Sequence, residues 1–184
     1  MHRTSTSWAR RTLVAGAATA LPIALAGPAV ACEVDEGHPH RVAGALRDLQ
    51  TSTAAPLDGA RASLTMRVHR GMTTFVLSVR GIDRAAVGDV FGAHLHIGPC
   101  VRGDGAAAGA HHNVSALHGD VPPVVGDRTE VWLDFTVTRS GRGRAVATVP
   151  FVPAPGNRAI VIHAEPTAAN GTAGARLACL PVSW

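Results

Sequence analysis

The residues of this chain with the most chemistry in them are histidines. His94 and His96 stand two apart in residues 89–97, a run that alternates with Phe91, Ala93, Leu95 and Ile97. In an extended strand, residues two apart share a face, so the two imidazoles project side by side while the apolar set enters a core. Two imidazoles on one strand face can chelate one metal ion. His111 and His112 follow in the Gly-rich loop Gly109-Ala110-His111-His112-Asn113, and His163 ends the apolar run Ala159-Ile160-Val161-Ile162. Three or four neutral imidazoles without a thiolate favour copper or zinc. His38 and His40, on either side of Pro39, lie in a polar stretch that reads as a His-containing tail.

The elements that must position these side chains are strands. Ala62, Leu64, Met66 and Val68 alternate with Ser63, Thr65, Arg67 and His69, and after a turn at Arg70-Gly71, Phe75, Leu77 and Val79 fall on one face. Residues 130–138 alternate again through Val131, Leu133, Phe135 and Val137. Ser140-Gly141-Arg142-Gly143 reads as a hairpin turn, and strands are expected over 145–151, 158–163 and 176–182. Period-two patterning between Gly- and Pro-rich turns predicts an all-β, antiparallel sandwich or barrel. Residues 42–49 read as a short helix and 51–59 as a linker, so 32–61 is taken as an N-terminal segment and 62–184 as the β domain. The long segments 98–129 and 164–175 lack a strand pattern, and loops of that length in a compact domain are usually functional.

A chain of 184 residues has room for one ordinary domain, and its net charge of +4 suggests at first a nucleic-acid binder. The distribution argues otherwise. Arg3, Arg10 and Arg11 crowd the N-terminus, and without them the net charge is about +1. No basic stripe with interleaved aromatics appears along the chain, so no nucleic-acid partner is expected. Residues 1–31 resemble a signal peptide: a basic start, an apolar stretch over 12–27 and the small-x-small run Ala29-Val30-Ala31. Arg10-Arg11 also fits a twin-arginine route. An exported, extracellular or envelope protein is expected. Of Cys32, Cys100 and Cys179, two should pair in an oxidising compartment. Cys32 would follow the cleavage site, where it is a candidate for lipidation and membrane attachment or else a thiol of the N-terminal segment.

Gly92-Ala93-His94-Leu95-His96, Gly109-Ala110-His111-His112-Asn113, Ile162-His163 and Gly174-Ala175-Arg176-Leu177-Ala178-Cys179 occur in this order. Together they resemble the copper/zinc superoxide dismutase family over about residues 62–182. The resemblance implies a Greek-key β-barrel or sandwich of about eight antiparallel strands. It implies copper ligation by His94, His96 and His163, with His111 in the place of the histidine that bridges copper and zinc. It implies a Cys100–Cys179 disulfide, and in Arg176 the arginine that attracts the superoxide anion. Arg176 and His111 are thus the candidate catalytic residues.

The zinc set departs from the family. After His111 the chain offers only His112, His118, Asp120 and Asp127 before the next strand, and the segments between His163 and Arg176 and between His96 and Cys100 are shorter than the family's. These features resemble the copper-only branch. A ligating imidazole is normally oriented through its other nitrogen. Glu130 is the first candidate partner for His111, with Asp120 and Asp127 as alternatives. The expected function is an exported copper superoxide dismutase. The rival is a non-catalytic copper-binding protein of the cell envelope with the same fold.

Overall fold

The computed structural model describes residues 37–184; the expected signal peptide and Cys32 lie outside the described residues. Two four-stranded antiparallel sheets form a sandwich. The first sheet joins β1 (His40–Ala45), β3 (Arg61–His69), β4 (Met72–Arg80) and β8 (Arg142–Val149) in that order. The second has the order β2 (Arg47–Asp48), β10 (Arg176–Ser183), β9 (Asn157–His163), β6 (Ala93–His96). A short ladder pairs β5 (Val90–Phe91) with β7 (Phe135–Thr136). No strand ladder joins the two large sheets among the described residues, so the architecture is the sandwich rather than a closed barrel. No described helix is long and apolar enough to cross a membrane.

The alternating pattern of β3 and β4 is realised as buried Leu64, Met66, Phe75 and Leu77 facing the second sheet's Leu95, Ile160, Ile162 and Leu180. The turn between β3 and β4 places Arg70 and Gly71 both at positive φ (51° and 73°), the backbone twist that a two-residue hairpin needs. Residues 130–138 keep their inward side chains Val131, Leu133, Phe135 and Val137, yet only Phe135–Thr136 is regular strand.

Residues 42–49 do not form the expected helix. His40–Ala45 is an edge strand paired with β3, from His40 opposite Met66 to Ala45 opposite Arg61. Arg47–Asp48 then crosses to pair with β10. Leu46, between the two strands, enters the core.

Strand β9 is buried on both faces from Ala159 onward. Ile160 and Ile162 face the sandwich core, whereas Ala159 and Val161 join a second apolar cluster with Leu49, Cys100, Ala108 and Cys179. That cluster covers the outer face of the second sheet. Loop 97–110 lies over it, fastened by the Cys100–Cys179 disulfide with a Cα–Cα distance of 5.7 Å. The bond closes a sequence separation of 79, which in the chain-entropy model contributes about 4–5 kcal/mol.

Candidate metal centre

Register puts the histidines together. In the second sheet His94 is opposite Val161 and His96 opposite Ala159, so both imidazoles stand on the outer face. His163 shares that face through the parity of β9, and Arg176 is its partner at the start of β10, beside a register shift. The loop after β6 returns as a strand-like segment. The Ile97 amide donates to Ala110 O, the His112 amide donates to Leu95 O, and His111 pairs with His96. The His111 ring consequently sits 4.0 Å from the His94 ring and 4.7 Å from the His96 ring, centroid to centroid. One ligand nitrogen from each of His94, His96, His111 and His163 lies within 4.8 Å of the others. These four residues are positioned to hold a metal ion.

Each imidazole is held through its other nitrogen. His96 Nδ1 meets Gly109 O at 3.0 Å, and His163 Nδ1 meets Gly174 O at 3.3 Å. A carbonyl only accepts, so both Nδ1 atoms carry the proton and both Nε2 atoms present lone pairs. His111 Nδ1 donates to Glu130 Oε2 at 2.9 Å, which leaves its Nε2 lone pair towards the cluster. Thr167 gives its hydroxyl proton to Asp134 Oδ1 (2.6 Å) and therefore accepts from His94 Nε2 (2.7 Å). His94 Nδ1 is then the buried lone pair, and it has no protein partner. His96 Nε2 and His163 Nε2 face each other at 3.3 Å with no proton to share. Opposed lone pairs repel, and a cation between them removes the conflict. This donor set fits a metal ion, and all-imidazole nitrogen ligation suits copper or zinc.

Burial keeps His94, His96 and His163 neutral, so that protons do not take their lone pairs. Desolvation, reinforced by His111 and His163, lowers the His94 pKa to about 3. Desolvation is also the largest cause for His96, lowered to about 2, and for His163, lowered to about 4. Burial alone would raise the Glu130 carboxyl, but hydrogen bonds from His111, Trp132 and Asn113 outweigh it and hold the group below its ordinary value. An ionised carboxylate is thus fixed against His111.

The expected supporting acids separate clearly. Glu130 orients His111, as anticipated. Asp120 accepts from Ser115 Oγ at 2.6 Å, and His118, Asp120 and Asp127 are exposed and lie outside the histidine group. His112 points away from the centre and stacks on Phe151, with ring centroids 5.8 Å apart. His40 packs edge-on against Trp184, also outside the group. Thr167 and Asp134, which orient His94, were not anticipated. Nothing in a linear reading pairs them with His94, because the contacts span 73 and 33 residues.

Arg176 is half-buried beside the histidines. Its guanidinium donates to Gly105 O (2.5 Å) and Gly109 O (2.7 Å). Gly109 O also accepts from His96, so one carbonyl couples the arginine to a candidate ligand. An open cleft of about 600 Å³ reaches His111, Glu130, His163 and Arg176.

No protein-family model matches the chain, and no curated protein matches it. Among solved structures, it is similar to one described as "Crystal Structure Analysis of the clock protein EA4", with a TM-score of 0.50 and 20% identity over 77% of this chain and 92% of that one. At that identity the likeness shows the fold alone, an antiparallel β-sandwich.

Proposed function

We propose that this chain is an exported superoxide dismutase acting at a copper ion held by His94, His96, His111 and His163. The observation that carries the reading is the convergence of four oriented imidazoles beside Arg176, with His111, His163 and Arg176 lining one open cleft. The ordered sequence resemblance to the copper/zinc superoxide dismutases supports it, as does the disulfide, which fits a non-reducing compartment. The set-aside of His118, Asp120 and Asp127 from the cluster agrees with the copper-only form of that resemblance.

Copper bound there would supply one-electron exchange, by which two superoxide anions and two protons become dioxygen and hydrogen peroxide. The chain's own residues do the rest. Arg176 presents a permanent positive charge at the cleft, and a small anion is drawn to it over short range. Glu130 fixes His111 with Nδ1–H towards the carboxylate, leaving Nε2 as the nitrogen that can ligate or carry a proton to the cleft. The carbonyls of Gly109 and Gly174 hold His96 and His163 at fixed ring angles, so that the site keeps its geometry through the cycle.

The test is metal content and dismutation of the purified chain after loading with copper and zinc. One copper per chain and dismutation well above that of a copper–histidine peptide are expected. Arg176→Ala should retain copper while losing most of the activity, and Arg176→Lys should recover part of it. Because Arg176 also fastens loop 97–110, thermal stability is measured in parallel to separate loss of charge from loss of the loop. Copper binding with no activity above the peptide, unchanged by Arg176→Ala, would leave the envelope copper-binding protein as the better description.

A further inference from the structure

The strands of the first sheet carry Arg41, Arg61, Arg67, Arg80, Arg142 and Arg144 and no Asp or Glu. The register concentrates them. Arg61 is directly opposite Arg80, and Arg80 is directly opposite Arg142, so three neighbouring strands set three guanidinium groups in one row on the outer face. In the next row the same register aligns Ser63, Ser78 and Arg144. Like charges directly opposite across strands destabilise a sheet. Here nothing offsets them: among the described residues Arg61, Arg80, Arg142 and Arg144 make no ion pair and no side-chain hydrogen bond. The four arginines surround a recess of about 520 Å³ whose walls also include the Ser63, Ser78 and Thr138 hydroxyls. The outer side chains of these strands include no Phe, Tyr or Trp, and the one imidazole, His69, stands at the far end of β3 and does not line the recess, so base recognition there has no stacking platform.

We propose that this recess is a binding site for a phosphate-class oxyanion, on the sheet opposite to the one that carries the histidine centre. Arginine's planar fork matches phosphate oxygens in pairs, and the Ser63 and Ser78 hydroxyls add donors, while the Thr138 hydroxyl donates to Arg142 O. A bound tetrahedral oxyanion neutralises a row that is otherwise mutually repulsive. The row was invisible along the sequence because residues 61, 80 and 142 become neighbours only through strand register.

The experiment is calorimetric titration of the metal-loaded chain with inorganic phosphate at fixed ionic strength against chloride, with the melting temperature followed in parallel. A saturable isotherm and a raised melting temperature are expected. Arg80→Ser removes the centre of the row. It should weaken phosphate binding at least tenfold and, with phosphate absent, raise the melting temperature by removing like-charge repulsion. Arg67→Ser, on the same face but outside the row, should change neither. A second arm uses sedimentation with phosphatidylglycerol vesicles against phosphatidylcholine vesicles. Co-sedimentation that depends on Arg80 and is competed by phosphate identifies a lipid headgroup as the source of the oxyanion; phosphate binding without it identifies a free or small-molecule phosphate. Unsaturable heats, equal losses in Arg80→Ser and Arg67→Ser, or vesicle binding without any response to phosphate would each overturn the proposal. Arg176→Ala is the control for phosphate entering the histidine cleft, and loss of the isotherm in that variant alone would also overturn it.

Discussion

At the scale of single residues, the centre is a set of acceptors tuned by their neighbours. Glu130 shows this most directly, because its two oxygens accept hydrogen bonds from His111, Trp132 and Asn113. Glu130→Gln keeps the volume but replaces one acceptor oxygen with an NH₂ donor, which must then oppose a donor inside a buried site. His111 loses its fixed orientation, and metal affinity should fall about 10–100-fold, the range found when supporting partners of ligating histidines are changed. Competitive chelator titration measures it; unchanged affinity would mean that His111 contributes nothing to binding. The four clustered histidines could be read from sequence: strand parity puts His94 and His96 on one face, the Gly-rich loop and the end of an apolar run offered His111, His112 and His163, and the family resemblance chose His111 over His112. Glu130 could be proposed because it opens a predicted segment near His111. Thr167 and Asp134 could not, because they reach His94 only after a loop between β9 and β10 folds back across the sheet.

At the scale of elements, loop 164–175 and strand β6 are coupled through a glycine. A Cβ at Gly92 would lie 2.6 Å from Glu165 O and 2.8 Å from Ala173 Cβ, closer than real contacts allow. The Gly92 amide also donates to Glu165 O at 2.8 Å, and the His163 amide donates to Gly92 O at 2.7 Å. Gly92→Ala must therefore push the loop outward and take Thr167 with it, loosening His94. Overpacking of this kind costs about 1–3 kcal/mol. Chemical denaturation should show that loss together with weaker metal binding, whereas a variant with full stability and affinity would show that the loop adapts freely. The same scale explains where sequence patterning failed. Residues 42–49 hold two Ala and two Leu, which suit a helix locally, but β3 offers a free edge with which His40–Ala45 forms a ladder. A pairing made across a chain reversal overrides a weak local propensity. Strands β3 and β4 were legible because their alternation is strict and their connection is a two-residue turn.

At the scale of the whole molecule, the two sheets differ in the chemistry of their outer faces. One carries arginines without ion pairs, and the other carries clustered histidines flanked by a disulfide-fastened loop. A net charge of about +1 beyond residue 31 conceals that division, since charge summed along a chain contains no register. Burying the imidazoles also makes global stability depend on pH in a definite direction. His94, His96 and His163 have folded-state pKa values lowered to about 3, 2 and 4 from 6.5, with burial as the main cause. His111 and the paired histidines oppose protonation throughout the cluster. Arg176 opposes it at His96 and His163, while Glu130 favours it at His94 and Asp134 at His163. In the metal-free protein the unfolded chain therefore binds protons below pH 6.5 that the folded state refuses. Stability is fully present above that pH and declines as pH falls, by about 1.4 kcal/mol per pH unit for each such imidazole. The decline for His163 ends near pH 4, while those for His94 and His96 continue towards 3 and 2. Glu130, held below its ordinary value, adds to the loss in the more acid range. Urea unfolding of the metal-free chain between about pH 7 and pH 5 should thus show a steep loss of stability. A His163→Gln variant should show a shallower slope, since one group that resists protonation has been removed. A flat profile in the wild-type chain would mean that water or a relaxed backbone solvates these rings, and that the neutral, lone-pair-bearing cluster on which the metal centre depends does not form.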